Sequence, residues 1–355
     1  MKTILKWPGG KEHELKNIQE NMPPFSGRYI EPFVGGGAVF FSIDGHRAFI
    51  NDKSSDLMNF YACVGRRDDN FVKSIHQECD EFTRISAFVD GNASDVLALY
   101  ASKISIDNFL SAHDALYAHV DEAYRDIFIA ELKRNLASKI QRAARIEARK
   151  GALSDSDRLD NMEAALKSAY YMCMRQRFNH GENLSDGARA AVFFFVREYC
   201  YSSMFRYNSQ GEFNVPYGGI SYNRKDFRRK IDYALSDDVH EKLSSATLSC
   251  LDFEDFMDGL NLTRDDFVFL DPPYDSDFST YAMNAFGKAE QERLASCLKR
   301  TRAKFMLVIK NTQFIHDLYA KEKRFNIIDS FKKTYRVSFM NRNERRTRHL
   351  IITNY

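Results

Sequence analysis

The sequence predicts an α/β fold in two separated halves, with a long helical segment inserted between them. Three observations support this prediction. Near the N-terminus, a short apolar run ends in a turn of three glycines, and a second short apolar run ends in an acid. Residues 63–170 then contain few glycines and no proline, and their apolar residues recur at helical spacing. After residue 247, strand and helix patterns alternate again, as expected for a shared sheet.

The first half has the order of a nucleotide-binding βαβ unit. After an N-terminal loop, a helix is expected over about residues 11–21, and the apolar run 28–33 predicts a strand that ends at the glycine turn. A helix is expected between this turn and the second strand, 48–50, which ends just before Asp52. The order strand, glycine turn, helix, strand and acid is typical of dinucleotide and nucleotide sites.

The remaining elements are assigned from periodicity in the same way. Helical patterns in the insertion cover residues 82–117, 123–144 and 161–174, and a helix followed by a hairpin or loop is expected over 190–223. In the second half, strands are expected at 247–251, 267–270, 305–309, 326–330 and 349–353, with helices at 288–301 and 313–320. We therefore place a first core segment at residues 1–62, the inserted domain at 63–229 and a second core segment at 230–355.

Composition narrows the class of protein. A chain of 355 residues that is 44% hydrophobic and 28% charged is neither disordered nor a disulfide-stapled mini-protein. Six scattered cysteines form no CxxC pair, which argues against zinc and against disulfides. No apolar run suits a membrane span or a signal peptide, so we expect a cytoplasmic protein. The net charge of +2 is uninformative, but basic clusters at 224–230 and 332–348 indicate a phosphate-facing surface.

The tetrad of Asp271, Pro272, Pro273 and Tyr274 follows a buried strand pattern directly. It is therefore expected at the carboxyl end of a sheet strand, where open α/β sheets build their sites. A carboxylate beside a rigidly held carbonyl makes a pair of hydrogen-bond acceptors, and an aromatic ring offers a stacking surface. This arrangement suits a planar ring with an exocyclic amine.

The glycine turn and Asp52 predict a cofactor site. Glycines allow the backbone to approach a ligand closely, and the amide groups at such a turn favour an acidic group. Asp52 ends the next strand and is placed to accept hydrogen bonds from ribose hydroxyls.

Four separated motifs together resemble those of the Dam-like (D12 class) DNA adenine N6-methyltransferases. They are residues 6–11 (KWPGGK), 31–37 (EPFVGGG), 205–218 (FRYN through GEFNVPYG) and 271–274 (DPPY). The resemblance implies a Rossmann-like sheet that binds S-adenosylmethionine, with an inserted, mainly helical target-recognition domain. It also implies direct methyl transfer, without a metal, to N6 of an adenine in duplex DNA. The adenine would be flipped out of the duplex, because N6 is unreachable inside it.

The resemblance also implies roles for individual residues. Asp271, Pro272, Pro273 and Tyr274 would be catalytic, and Lys11 would lie near the cofactor's carboxylate. The cofactor-binding residues would be Trp7, Lys11, Glu31, Phe33, Gly35, Gly36, Gly37, Asp52, Asp252, Phe253 and Asp271. The DNA-binding residues would be Arg206, Asn208, Gln210, Asn214, Pro216, Tyr217, Arg224 and Lys225.

Several alternatives stay open from the sequence. An RNA N6-adenine methyltransferase, a protein-amide methyltransferase or a catalytically silent DNA-binding relative would share much of the pattern. An NAD-dependent enzyme would use the glycine turn but leaves the DPPY tetrad unexplained. A monomer is expected, and a cognate restriction endonuclease is a further candidate partner.

Overall fold

A computed structural model describes residues 1–118, 120–273, 286–334 and 346–355, with the backbone alone at 329–334 and 346–347. The chain divides into two compact units. The first contains Met1–Arg66, Phe205–Tyr207 and Leu235–Tyr355, and the second contains Arg67–Met204 and Asn208–Ala234.

The first unit is built on a mixed sheet, which confirms the predicted α/β fold. Its strands in the described residues are β1 (Tyr29–Glu31), β2 (Ala48–Asn51), β3 (Thr247–Ser249), β4 (Phe267–Leu270), β5 (Lys304–Lys310), β6 (Asn326–Thr334) and β7 (Arg346–Thr353). Their spatial order is β3-β2-β1-β4-β5-β7-β6. The first five in this order are parallel, whereas β7 runs antiparallel to both β5 and β6. The carboxyl ends of β1, β2 and β4 therefore meet at one edge.

The helices of this unit are α1 (Leu15–Glu20), α2 (Ser55–Arg66), α10 (Asp237–Ser244), α11 (Phe253–Gly259), α12 (Lys288–Arg300) and α13 (Gln313–Ala320). The four residues of β4 are all buried, as in a parallel strand covered on both faces. Leu294 and Leu298 of α12 and Ile315 of α13 join the sheet residues in one apolar core. The ion pair between Arg28 and Asp266, at 2.7 Å, lies at the start of β1 and β4.

The helix expected between β1 and β2 was a wrong prediction. The connection instead contains a single 3₁₀ turn, Phe40–Ser42, and Gly45 takes a φ of +78° soon after it. Residues 38–41 are four consecutive buried apolar residues, so this segment has no polar face to present to water. The crossover is therefore packed as buried turns and not as an amphipathic helix.

The second unit is helical. It contains α3 (Asp69–Gly91), α4 (Ala93–Tyr100), α5 (Ile106–Ala112), α6 (Glu122–Lys150), α7 (Asp155–His180), α8 (Asp186–Tyr199) and α9 (Phe227–Ala234). An aromatic cluster joins α3, α8 and the loop that follows α8, with Phe82 and Tyr199 at a ring-centroid separation of 4.1 Å. At the crossing of α3 and α8, a Cβ on Gly187 would lie 2.5 Å from the Phe71 nitrogen, so only glycine permits this approach. Within the described ranges, no helix has the length and apolarity that crossing a membrane requires.

Candidate active site

A cavity of about 350 Å³ lies in the first unit at the carboxyl ends of β1, β2 and β4. It brings together the predicted residues of three motifs that are far apart in the chain. Its lining includes Trp7, Lys11, Glu31, Phe33, Gly35, Gly36, Gly37, Asp52, Phe205, Asp252, Phe253, Asp271, Pro272 and Pro273. The segments that carry these residues therefore lie together at the carboxyl edge of the sheet.

The glycine turn forms one wall of the cavity because the backbone there is held very close to Trp7. Gly35 has a φ of +47°, and a Cβ on it would lie 2.8 Å from Trp7 Cδ1. The Tyr61 hydroxyl donates a 2.7 Å hydrogen bond to the Gly35 carbonyl, which fixes the turn from behind. Trp7 also packs against Phe205, with ring centroids 4.6 Å apart. The N-terminal loop and the glycine turn thus form one packed wall.

Asp52 is anchored at the end of β2 by backbone groups. Its carboxylate accepts hydrogen bonds of 3.0 Å from the N–H groups of Gly35 and Ser54. Burial raises the pKa of Asp52, and these hydrogen bonds act against the rise. The side chain is therefore held in a fixed orientation beside the glycine turn.

Asn51 is a site residue that sequence reasoning missed. Its side-chain amide donates 3.0 Å hydrogen bonds to the carbonyls of Pro32 and Leu251, and its oxygen accepts a 2.8 Å bond from the Leu251 N–H. One buried amide therefore joins the loops that follow β1 and β3. Its place at a strand end, next to Asp52, was the signal that could have identified it.

A buried group of charges lies at the end of β4. Lys11 forms an ion pair with Asp271, and its ammonium also donates a 3.0 Å hydrogen bond to the Gly9 carbonyl. Lys11 is only 2% exposed and Asp271 18%. The Glu31 carboxyl accepts a 2.6 Å hydrogen bond from the Tyr29 hydroxyl, and burial raises the pKa of Glu31 to about 8. In this structure Lys11 is thus engaged with the DPPY carboxylate that the sequence also singled out.

The two prolines after Asp271 are supported by α12. The Gln291 side chain is fully buried and donates a 3.1 Å hydrogen bond to the Pro273 carbonyl. Because proline supplies no N–H, this carbonyl has few local donors, and Gln291 fixes its position. Tyr274, the last predicted residue of the tetrad, lies outside the described residues.

Aromatic rings and one arginine form a second wall of the cavity. Phe33, Phe253 and Phe286 contact one another with centroid separations of 5.5 to 5.8 Å. Asp252 caps α11 by accepting a 3.1 Å bond from the Glu254 N–H. This wall is an apolar slot with a carboxylate at its edge.

Arg293 of α12 holds this wall in place, and no motif indicated it. Its three guanidinium nitrogens donate to three different carboxylates: Asp252, Glu254 at 3.1 Å and Glu290 at 2.6 Å. The guanidinium carbon also lies 4.8 Å from the centroid of the Phe253 ring. The planar guanidinium therefore fixes both the Asp252 carboxylate and the Phe253 ring.

The predicted DNA-binding residues fall into two groups. Tyr217 is buried and donates a 3.0 Å hydrogen bond to the Asn223 side chain. Lys225 donates a 2.7 Å hydrogen bond to the Glu198 carbonyl. The Asn208 side-chain oxygen accepts hydrogen bonds from the N–H groups of Gln210 and Glu212 in the same turn. These three side chains therefore have structural contacts within the second unit. Those exposed to solvent are Arg206, Gln210, Pro216 and Arg224, and Asn214 is half-buried.

No group of three or more potential metal ligands occurs among the residues that the structure describes. The cavity offers hydrogen-bond acceptors, the backbone of a tightly packed glycine turn and aromatic faces. These acceptors and aromatic faces suit an organic cofactor and a planar base.

Comparison with known proteins agrees with this geometry. The model of the family described as D12 class N6 adenine-specific DNA methyltransferase matches residues 7–149 and 142–334. The chain is 28% identical to "Type II methyltransferase M.CviBI" of Paramecium bursaria Chlorella virus NC1A, over the whole length of both. It is 25% identical to "Retron Ec67 DNA adenine methylase" of Escherichia coli, over 90% of this chain and 81% of the relative. It is 24% identical to "DNA adenine methylase" of Haemophilus influenzae, over 92% of this chain and 86% of the relative. The chain therefore belongs to the D12 class of N6 adenine-specific DNA methyltransferases.

Proposed function

We propose that this protein transfers a methyl group from S-adenosylmethionine to N6 of an adenine flipped out of duplex DNA. The supporting observation is that Asp271 and Pro272 line the same cavity as the glycine turn and Asp52. The cavity has to hold both a target base and a cofactor, and both halves of the sequence contribute to its lining.

The residues present fit S-adenosylmethionine. Gly35 has no side chain, so the turn packs closely on Trp7 and presents only backbone at this wall. Asp52 offers a fixed carboxylate for ribose hydroxyls, and Phe33 and Phe253 border an apolar slot for the adenine ring. When bound, the cofactor supplies an electrophilic methyl group. Arg293 and Asn51 would keep the loops around it in place.

Catalysis is proposed to depend on positioning and hydrogen bonding. The N6 lone pair of adenine is delocalised into the ring, so acceptors for its two hydrogens favour the tetrahedral form that attacks a methyl group. Asp271 would accept one hydrogen and the Pro272 carbonyl the other, with direct in-line transfer and no covalent enzyme intermediate. Lys11 would fix the Asp271 carboxylate through their ion pair. Stacking of Tyr274 on the flipped base remains a proposal from the sequence.

The helical second unit is proposed to be the target-recognition domain. The exposed Gln210 and Arg224 and the half-buried Asn214 carry hydrogen-bonding groups that suit base edges or phosphates. Unstacking the target adenine costs a few kcal/mol, which contacts to the surrounding duplex must offset. The protein is proposed to act as a monomer. A cognate restriction endonuclease is proposed as a partner, because relatives carry Type II methyltransferase names.

Transfer of a radiolabelled methyl group tests the proposal. S-adenosylmethionine labelled in its methyl group is offered with duplex DNA, RNA or protein, and the labelled nucleoside is identified. We expect label only in N6-methyladenine of DNA, and we expect Asp271→Ala to lower kcat by about 10²-fold or more. Asp255→Ala, an exposed carboxylate on α11, is the matched control. Label in RNA or protein alone, or in none of them, would overturn the proposal.

A further inference from the structure

The carboxyl-terminal half of α6 is strongly basic on one face. Residues 132–150 contain seven basic residues and one acidic residue. Arg142, Arg145 and Arg149 are exposed, and their spacing of three and four residues places them on the same face of the helix. At 1.5 Å per residue, this arginine stripe (Arg142, Arg145 and Arg149) is about 10 Å long.

Several other basic residues of this unit differ from the arginine stripe because acids neutralise them. On α6 itself, Lys133 pairs with Asp107 at 2.6 Å and Arg134 pairs with Glu131. In the cluster 224–230 that the sequence singled out, Arg228 pairs with a carboxylate of α3, and Lys225 and Lys230 pair with one of α8. That cluster therefore presents much less positive charge than its sequence suggests.

The arginine stripe has no such neutralisation. In the described ranges, no carboxylate lies within ion-pair distance of any of its three guanidinium groups. The acid between them in sequence, Glu147, accepts hydrogen bonds of 3.0 and 3.1 Å from Arg158 and one of 2.9 Å from the Leu153 N–H. Burial and the nearby Arg142 lower the pKa of Lys139, which indicates a locally positive field.

Helix capping does not account for the whole stripe. Cations in the last turn stabilise a helix through its dipole, and Arg149 lies in the last turn of α6. Arg142 and Arg145 lie further from the helix end, where this effect has faded. A repulsive row of exposed arginines therefore points to an external polyanion.

We propose that the arginine stripe binds the phosphate backbone of the substrate duplex. This inference rests on the proposed function, which makes DNA the polyanion that the protein meets. One strand carries a phosphate about every 3.4 Å along the axis, so a 10 Å stripe spans roughly three phosphates. Guanidinium groups suit phosphate oxygens because their N–H donors are paired in a plane. The contact gives affinity without base specificity.

Salt-dependent binding of a fluorescent duplex to the full-length protein tests the inference without requiring catalysis. We compare the double variant R142Q/R145Q with K133Q/R134Q, which removes the same charge from neutralised residues of the same helix. Losing two phosphate contacts should reduce the slope of log K against log salt by about 1.8, so the affinity defect is about twelvefold greater at 50 mM than at 200 mM salt. The control should keep the native slope. R142K/R145K should restore most of the slope, because the charge is retained.

The outcomes separate this inference from the proposed function. If the native protein methylates duplex DNA and R142Q/R145Q keeps the native slope, the inference is wrong and the proposed function stands. If R142Q/R145Q and K133Q/R134Q reduce the slope equally, the slope depends on the total charge of the protein and not on the arginine stripe. The inference is then also wrong. A weakened affinity for RNA or an acidic peptide but not for DNA would likewise overturn it. If the native protein methylates no DNA, the proposed function fails whatever the slope.

Discussion

Glu31 is the buried carboxyl whose replacement tests the electrostatics of the cavity most directly. Its side chain is 2% exposed, and burial raises its pKa from the ordinary 4.5 to about 8. Asp271 adds to the rise, whereas hydrogen bonds from Tyr29 and the Phe40 N–H, and the charge of Lys11, act against it. Between these two values the unfolded chain releases the proton of Glu31 and the folded protein keeps it.

The sign and size of the effect follow from this difference. Glu31 affects the free energy of unfolding through its raised pKa. The full free energy of unfolding is present below about pH 4.5, where Glu31 is protonated in both states, and part of it is lost as pH rises through about 8. Within that window each pH unit removes about 1.4 kcal/mol from the free energy of unfolding. From about pH 5.5 to about pH 7.5, the native protein should therefore lose roughly 2–3 kcal/mol that the variant Glu31→Gln does not lose.

Urea unfolding at several pH values, followed by circular dichroism, measures this difference. The other buried carboxyls titrate in both proteins, so subtraction of the two curves isolates Glu31. Glu20→Gln changes a carboxyl that is 62% exposed and serves as the control, which should track the native curve. Parallel curves for the native protein and Glu31→Gln across this range would refute the reasoning, because they would show that burial does not hold the proton on Glu31.

Three further predictions concern the cavity and the sheet beneath it. Gly35→Ala puts a Cβ 2.8 Å from Trp7 Cδ1 at a φ of +47°, so calorimetry should show weaker S-adenosylmethionine binding, with a loss of about 1–3 kcal/mol in unfolding free energy. Arg293→Met removes three charged hydrogen bonds, so steady-state kinetics should show a raised KM for S-adenosylmethionine with kcat nearly unchanged. Hydrogen bonds from Arg28 and Thr263 lower the pKa of Asp266 despite its burial, so urea unfolding should show that Asp266→Asn is destabilising above about pH 4 and that the difference shrinks on acidification.

Each of these predictions has a contrary result. Native affinity in Gly35→Ala would show that the turn is not a close-contact wall. An unchanged KM in Arg293→Met, or an equal loss of kcat, would show that this side chain does not position the cofactor slot. A destabilisation in Asp266→Asn that is constant from about pH 2 to pH 7 would show that its charge is not what matters.

The parts of the fold with strong local signals were predictable. The apolar run before Asp271 is aromatic and β-branched and is followed closely by two prolines, which favours a buried strand. The strand ends at the glycine turn and at Asp52 were therefore expected at the same edge of the sheet. The connection between β1 and β2 was not predictable, because four buried apolar residues in a row fit a helix, a strand or packed turns equally well.

One physical reason explains why a site residue such as Arg293 was missed from the sequence. Arg293 lies 41 residues from Asp252 in an ordinary charged helix, and its three partners become apparent only after folding. The same reason explains why the sequence overstated the positive charge of the basic cluster at 224–230. The acids that pair with it, such as Asp80, come from helices that are distant in sequence. Local sequence shows how many charges a segment carries but not which of them are neutralised.

The Asn51 amide has a consequence for binding thermodynamics. Three hydrogen bonds through one buried side chain connect the loops after β1 and β3 before any ligand arrives. Ordering loop residues costs roughly 1–2 kcal/mol of backbone entropy each, and this cost is met during folding when the loops are already fixed. Preorganisation of this kind leaves more of the contact energy available as affinity for the cofactor. A single asparagine that touches no reacting atom thereby influences how tightly the cavity can bind.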